Sequence, residues 1–265
     1  MTHPVPSRLT LLVTMALLLL VAGTTLAKDD GPLWLRHPAV SPDGQTVAFD
    51  FHGDLFTVPA SGGVATRVTV HDAHDRQPMW SPDGKHLAFA SDRFGNWDVF
   101  VVPAAGGPVQ RLTYHSGADT PCSFTPDGKN VLFTATRLDV AKHAEFPHYR
   151  ALPELYSVPV AGGRPTQVLT VPAMEAVYDS KQQRLLYSEN TSLEDEMRKH
   201  NVSAFARDIW LWDVKTGNFR RVASFAGGEF TPVWDVDETG FYYLNEKSGD
   251  FNVWHMPLDG SGQAR

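Results

Sequence analysis

The chain has 265 residues, 42% of them hydrophobic and 20% charged, with 30 acidic against 23 basic side chains and a net charge of −7 at neutral pH. This composition excludes a collagen-like, low-complexity or multi-span membrane protein, and with no basic surplus to neutralise a phosphate backbone it argues against nucleic acid as a partner. A single cysteine, Cys122, can make neither an internal disulfide nor a cysteine-based zinc site; it reads as a strand core residue, and stability has to come from packing.

In chain order, residues 1–27 come first and read as a signal peptide. Arg8 supplies a positive start, Leu9 to Gly23 is an almost unbroken apolar run, and Thr25-Leu26-Ala27 is a small-residue cleavage signal ahead of Lys28-Asp29-Asp30. This predicts export to a bacterial periplasm, and the lack of a cysteine at the cut excludes a lipid-modified N-terminus. The competing reading is an inner-membrane anchor formed by residues 9–27, nearly long enough to span, with membrane contact confined to that segment.

Residues 28–265 are governed by a repeat. Pro38-Ala39-Val40-Ser41-Pro42-Asp43-Gly44 leading to Phe49 recurs as Pro78-Met79-Trp80-Ser81-Pro82-Asp83-Gly84 leading to Phe89. A third copy runs from Pro121 through Thr125-Pro126-Asp127-Gly128 to Phe133, and degenerate copies follow at Val177 to Tyr187 and Pro232 to Tyr243. The first two closing aromatics, Phe49 and Phe89, stand 40 residues apart, the length of a four-stranded propeller blade. Within a unit, Pro-Asp-Gly turns strand a into strand b, because proline presets φ and glycine accepts the left-handed position. Strand b alternates, with Leu87 and Phe89 on one face and Ala88 and Ala90 on the other. A polar loop, Ser91 to Trp97, precedes strand c at Asp98 to Pro103; Gly106-Gly107 turns the chain, and Arg111-Leu112-Thr113 lies on strand d. The predicted fold is all-β, a β-propeller of about five four-stranded blades covering approximately 37–70, 77–114, 120–170, 173–223 and 230–265. Pro59 precedes Arg67, Pro103 precedes Arg111 and Pro257 precedes Arg265 by the same interval, which places the last residue inside strand d of the fifth unit. An incomplete ring with two exposed faces is expected.

Candidate sites collect where the d-to-a and b-to-c connections meet on one face. The d-to-a connectors repeat a His-x-x-x-Asp pattern, His71 with Asp75 and His115 with Asp119, suited to a metal or a peptide terminus or, more plainly, to a hydrogen bond that stabilises each loop. Two insertions, Leu138 to Pro153 and Thr191 to Phe205, enlarge b-to-c loops on this face, where binding commonly resides. Arg137, His143, His148, Arg150, Glu194, Glu196, Arg198 and His200 decorate them, a mixture that fits peptide recognition or an ordinary solvated loop. Leu193 to His200 has the charge order of a short helix. Asp92, Arg93 and Asp98 read as braces between blades, and Trp80, Trp97, Trp210, Trp212, Trp234 and Trp254 as inter-blade core.

Leu33-Trp34-Leu35-Arg36-His37-Pro38, Phe89-Ala90-Ser91-Asp92-Arg93-Phe94-Gly95, Arg111-Leu112-Thr113-Tyr114-His115-Ser116, Glu154-Leu155-Tyr156-Ser157-Val158-Pro159, Met197-Arg198-Lys199-His200 and Arg207-Asp208-Ile209-Trp210-Leu211 resemble the N-terminal propeller of bacterial tricorn-type serine peptidases. The resemblance covers residues 32–265. It implies a propeller that filters or guides peptides, with the serine nucleophile and a PDZ-like module in C-terminal domains that these residues do not include. TolB, prolyl-oligopeptidase-like enzymes and propeller-bearing amidohydrolases share the Ser-Pro-Asp-Gly blades. A non-enzymatic TolB-like propeller that binds protein partners in the periplasm, or one attached to an amidohydrolase, are the alternatives. No Gly-x-Ser-x-Gly elbow, His-Glu-x-x-His pair or phosphate-binding glycine loop is present, so no catalytic residue, cofactor or metal is expected.

Overall fold

The computed structural model describes residues 34–137, 152–189, 206–225, 227–259 and 262. The expected insertion residues His143, His148, Arg150, Glu194, Glu196, Arg198 and His200, the short helix at 193–200, the leader and Arg265 lie outside them.

Five antiparallel sheets follow one another along the chain as propeller blades. Blade one is built from β1 (Arg36–Val40), β2 (Thr46–Phe51), β3 (Asp54–Pro59) and β4 (Thr66–Arg67). Blade two contains β5 (Asp75–Trp80), β6 (His86–Ser91), β7 (Asp98–Pro103) and β8 (Gln110–Arg111). Blade three has β9 (Asp119–Phe124), β10 (Asn130–Ala135), β11 (Glu154–Pro159) and β12 (Thr166–Leu169), and blade four has β13 (Met174–Tyr178), β14 (Arg184–Ser188), β15 (Ile209–Asp213) and β16 (Phe219–Ala223). Among the described residues, blade five shows three strands, β17 (Glu229–Trp234), β18 (Gly240–Asn245) and β19 (Asn252–Pro257). First strands of neighbouring blades pack on one another, β1 on β5, β5 on β9, β9 on β13 and β13 on β17, which makes them the inner strands.

In blades one to three the turn between the first and second strands is a closed hydrogen-bond circuit. Ser41 Oγ donates to Asp43 Oδ1 at 2.5 Å and accepts from Thr46 N at 2.9 Å, while Asp43 Oδ1 also accepts from Gln45 N at 3.0 Å. Ser81, Asp83, Lys85 and His86 repeat it, as do Thr125, Asp127, Lys129 and Asn130. The hydroxyl and then the backbone N–H hold the carboxyls of Asp43, Asp83 and Asp127 below the usual aspartate range. Gly84 takes φ of +69°, a left-handed conformation that the turn requires and that suits glycine; a Cβ there would only touch Pro42 of the preceding blade at 3.8 Å.

The two faces of strand b serve different interfaces. Leu87 and Phe89 join Ala48, Leu55 and Val68 of blade one, whereas Ala88 joins Phe124, Val131 and Phe133 of blade three. Leu132, Leu155 and Leu169 then meet Ala176, Leu185 and Tyr187, and Leu186, Ile209 and Leu211 meet Phe241 and Tyr243. The far face of blade five breaks this series. Leu55, Val99 and Leu155, each the second residue of its third strand, and Ile209 at the equivalent place in blade four are fully buried, and their counterpart Val253 is 58% exposed beside exposed Tyr242 and Leu244. Trp80, Trp210, Trp212, Trp234 and Trp254 pack against these inter-blade clusters. Trp97 departs from the expected core role: it lies flat against the Arg76 guanidinium.

Inner strands carry bulges at matching places. His37, Gln77, Glu175 and Thr231 adopt φ between 48° and 56° where the register to strand b slips. In β9 the corresponding residue is Pro121, which cannot take positive φ, and the slip falls on Cys122 instead. Burial pushes the Cys122 thiol up to about 11, so it stays protonated at neutral pH. A bulge frees a backbone N–H from the ladder, and a carboxylate of the preceding blade takes it. Asp50 Oδ1 accepts from Gln77 N at 3.2 Å, and Glu175 Oε2 from Thr231 N at 2.6 Å.

Candidate functional site

Two sets of ion pairs organise the face formed by the d-to-a and b-to-c connections. In the first set an aspartate at or beside the start of strand c meets an arginine on strand d, 13 residues later: Asp54 with Arg67, Asp98 with Arg111 at 2.7 Å, and Asp208 with Arg221 at 3.1 Å. Arg67 and Arg111 also donate through Nε to the carbonyls of Thr69 and Thr113. Blade three has Glu154 and Gln167 at these two places.

The second set joins the first residue of strand a to the b-to-c corner, 18 residues on. Arg93 grips Asp75 with two nitrogens, the shorter contact 2.6 Å, and Arg137 grips Asp119 likewise at 2.5 Å. Both carboxylates are completely buried, and Arg137 lies over the rings of Phe133 and Tyr156 at 4.8 and 5.4 Å. Burial raises the Asp119 carboxyl above the usual range even against the opposing pull of Arg137. In blade five the two places hold Glu229 and Lys247. Glu229 Oε1 accepts from Asn245 Nδ2 at 3.1 Å, while its buried Oε2 has no hydrogen-bond partner among the described residues. Burial, first of several causes, pushes this carboxyl up to about 7.

The sequence-predicted pairs are therefore divided between different partners. Asp75 and Asp119 engage Arg93 and Arg137, while His71 Nδ1 accepts from Ala73 N at 2.9 Å and His115 Nδ1 from Gly117 N at 3.0 Å, each within its own loop. Arg137 is placed as a clamp on Asp119. Asp92, Arg93 and Asp98 do not brace neighbouring blades as expected but act within blade two and its entry loop: Asp92 accepts from His74 N at 2.8 Å, and the other two form the pairs above, because each corner lies nearest the ends of its own strands. The 13- and 18-residue spacings were present in the sequence and would have revealed both sets had acid-to-arginine distances been compared across units.

Sequence reasoning missed Arg76 and Gln77, on the inner strand β5. The Arg76 guanidinium carbon lies 3.6 Å from the centroid of the Trp97 ring, and its Nε is buried without a hydrogen-bond partner among the described residues. Burial lowers the guanidinium's pKa, while Asp50 and Asp92 act in the opposite sense from beyond ion-pair distance. No motif marks such an arginine, because what distinguishes it is the absence of the acid found beside its counterparts. Among the described residues no serine or cysteine hydrogen-bonds an imidazole ring, and no group of three metal-ligating side chains comes together.

Known proteins agree with this architecture. Over 64 residues the chain is 39% identical to tricorn protease homolog 1 of Streptomyces coelicolor, a match spanning 24% of this chain and 6% of that protein. The structure superposes on the tricorn protease with a TM-score of 0.71 at 19% identity, covering 88% of this chain and 22% of the other. A TolB from Agrobacterium tumefaciens gives a TM-score of 0.70 at 18% identity over 88% of this chain and 80% of its own. The chain thus spans a small part of the length of the tricorn proteins it matches. A family model, the tricorn protease N-terminal β-propeller domain, matches residues 32–265, and the chain belongs to that family.

Proposed function

We propose that this propeller is the peptide-admitting and scaffolding part of an exported, tricorn-like serine peptidase whose catalytic serine lies in other domains. The observation that carries the reading is the family match across residues 32–265, reached independently of the likeness in fold. The geometry supports it in one respect: ion pairs in successive blades brace the b-to-c corners of one face, a rigid base for the insertions at 138–153 and 191–205. Export rests on the leader-like residues 1–27, and the exported product is expected to begin at Lys28; a product that keeps Met1 in the membrane fraction would favour the anchor instead.

The test of admission is the complete gene product assayed on peptides of graded length, beside a variant in which both insertions are replaced by short glycine turns. The rate ratio of long to short peptides should rise in the variant, and an unchanged ratio would remove the insertions from the admission role. The structural likeness to TolB supports a second reading, a non-enzymatic propeller that binds a protein partner. It is favoured if the complete product hydrolyses no peptide at all.

A further inference from the structure

Arg76 has no ion-pair partner among the described residues, unlike six other arginines of the blades. Arg67, Arg93, Arg111, Arg137, Arg184 and Arg221 each meet an aspartate. Arg76 instead lies over the Trp97 ring, its guanidinium carbon 3.6 Å from the centroid, and its Nε is buried without a hydrogen-bond partner among the described residues. The terminal nitrogens of Arg76 have no hydrogen-bond partner among the described residues. The adjacent Gln77 is held at φ 56° in the bulge, and its Oε1 is also buried without a partner there. Two neighbouring side chains with unsatisfied polar atoms, on a bulged inner strand, need an explanation that the described residues do not supply.

The two nearest carboxylates are already engaged. Asp50 Oδ1 receives His37 Nδ1 at 2.6 Å and Gln77 N at 3.2 Å. Asp92 Oδ1 receives His74 N at 2.8 Å, and its Oδ2 lies 3.8 Å from His74 Nδ1. Each acid therefore has an imidazole beside it, and neither reaches the guanidinium. An arginine held flat on an indole keeps its outer N–H fork free for a planar, two-oxygen acceptor, and a carboxylate matches that geometry better than any neutral group.

We propose that Arg76, held on Trp97 and flanked by Gln77, is a binding site for a carboxylate of a peptide segment reaching the inner strands of blades one and two. The carboxylate is either a chain terminus or an acidic side chain. The site is independent of whether the parent protein cleaves peptides, since a binding propeller would use it in the same way.

Calorimetric titration of the full chain with three acetylated alanine tripeptides tests this: one with a free C-terminus, one as the C-terminal amide, and one amide with a central glutamate. At least one acidic peptide should bind about tenfold or more tightly than the neutral amide, and whichever does identifies the source of the carboxylate. Arg76→Gln should abolish the preference with the thermal transition unchanged. The Arg76 Nε–H resonance of the wild-type chain should shift with the preferred acidic peptide and stay in place with the neutral one, a readout that stands even if the variant fails to fold. Equal affinities for all three peptides, no binding of any, a preference that survives Arg76→Gln, or an Arg76 resonance indifferent to the acidic peptides would each overturn the proposal.

Discussion

Replacing Asp119 by alanine is expected to destabilise the propeller by about 3–5 kcal/mol, because it leaves the Arg137 charge without its partner. The Arg137 side chain is only 14% exposed and is enclosed by Phe133 and Tyr156. The partnered double variant, Asp119→Leu with Arg137→Met, should recover most of that loss. Burial already raises the Asp119 carboxyl despite the adjacent guanidinium, which shows that desolvation outweighs the attraction at this site. Urea midpoints of the single and double variants measure the contrast. A single variant within about 1 kcal/mol of wild type would show that water reaches Arg137 and that the pair carries no structural weight.

The second large effect is expected at Glu229. Its carboxyl is raised from 4.5 to about 7 by burial, with Asp208 adding to the shift and Asn245, Lys247 and Arg221 opposing it. The folded chain therefore holds a proton that the unfolded chain has released between these two values. Where the folded state binds more protons, stability falls as pH rises. Stability should drop by up to about 3 kcal/mol between pH 4.5 and 7 on account of this group, and stay lower above it. Glu229→Gln keeps an acceptor for Asn245 and removes the titration. Its urea midpoint should exceed that of the wild type at about pH 8 and approach it at about pH 5, and a difference independent of pH would place the proton elsewhere.

The fold was largely readable because its repeat is written in local chemistry. Ser81-Pro82-Asp83-Gly84 closes its turn with its own hydroxyl and carboxylate, so the sequence carries the whole motif, and strand c falls at Asp98–Pro103 as expected. Strand d is shorter than its apolar pattern suggests. Thr113 leaves the ladder to cap Val99 N with its hydroxyl at 2.9 Å, as Thr69 caps Leu55 N at 3.0 Å, and the paired strand ends at Arg111 with one further backbone bond, Leu112 N to Val99 O at 2.8 Å. The site was less readable because its partners come from different corners. His71 and Asp75 are near in sequence, yet Asp75 turns to Arg93 beyond a whole hairpin. Trp97 looks like any core indole until Arg76 is found on its face.

The most direct test of the functional account is treatment of the complete gene product with a serine-reactive fluorophosphonate while peptide hydrolysis is followed. The account predicts that one serine outside residues 1–265 is labelled and that hydrolysis is lost in step with labelling. A product that takes no label and releases no peptide fragments, yet binds an envelope protein through these blades, would contradict it.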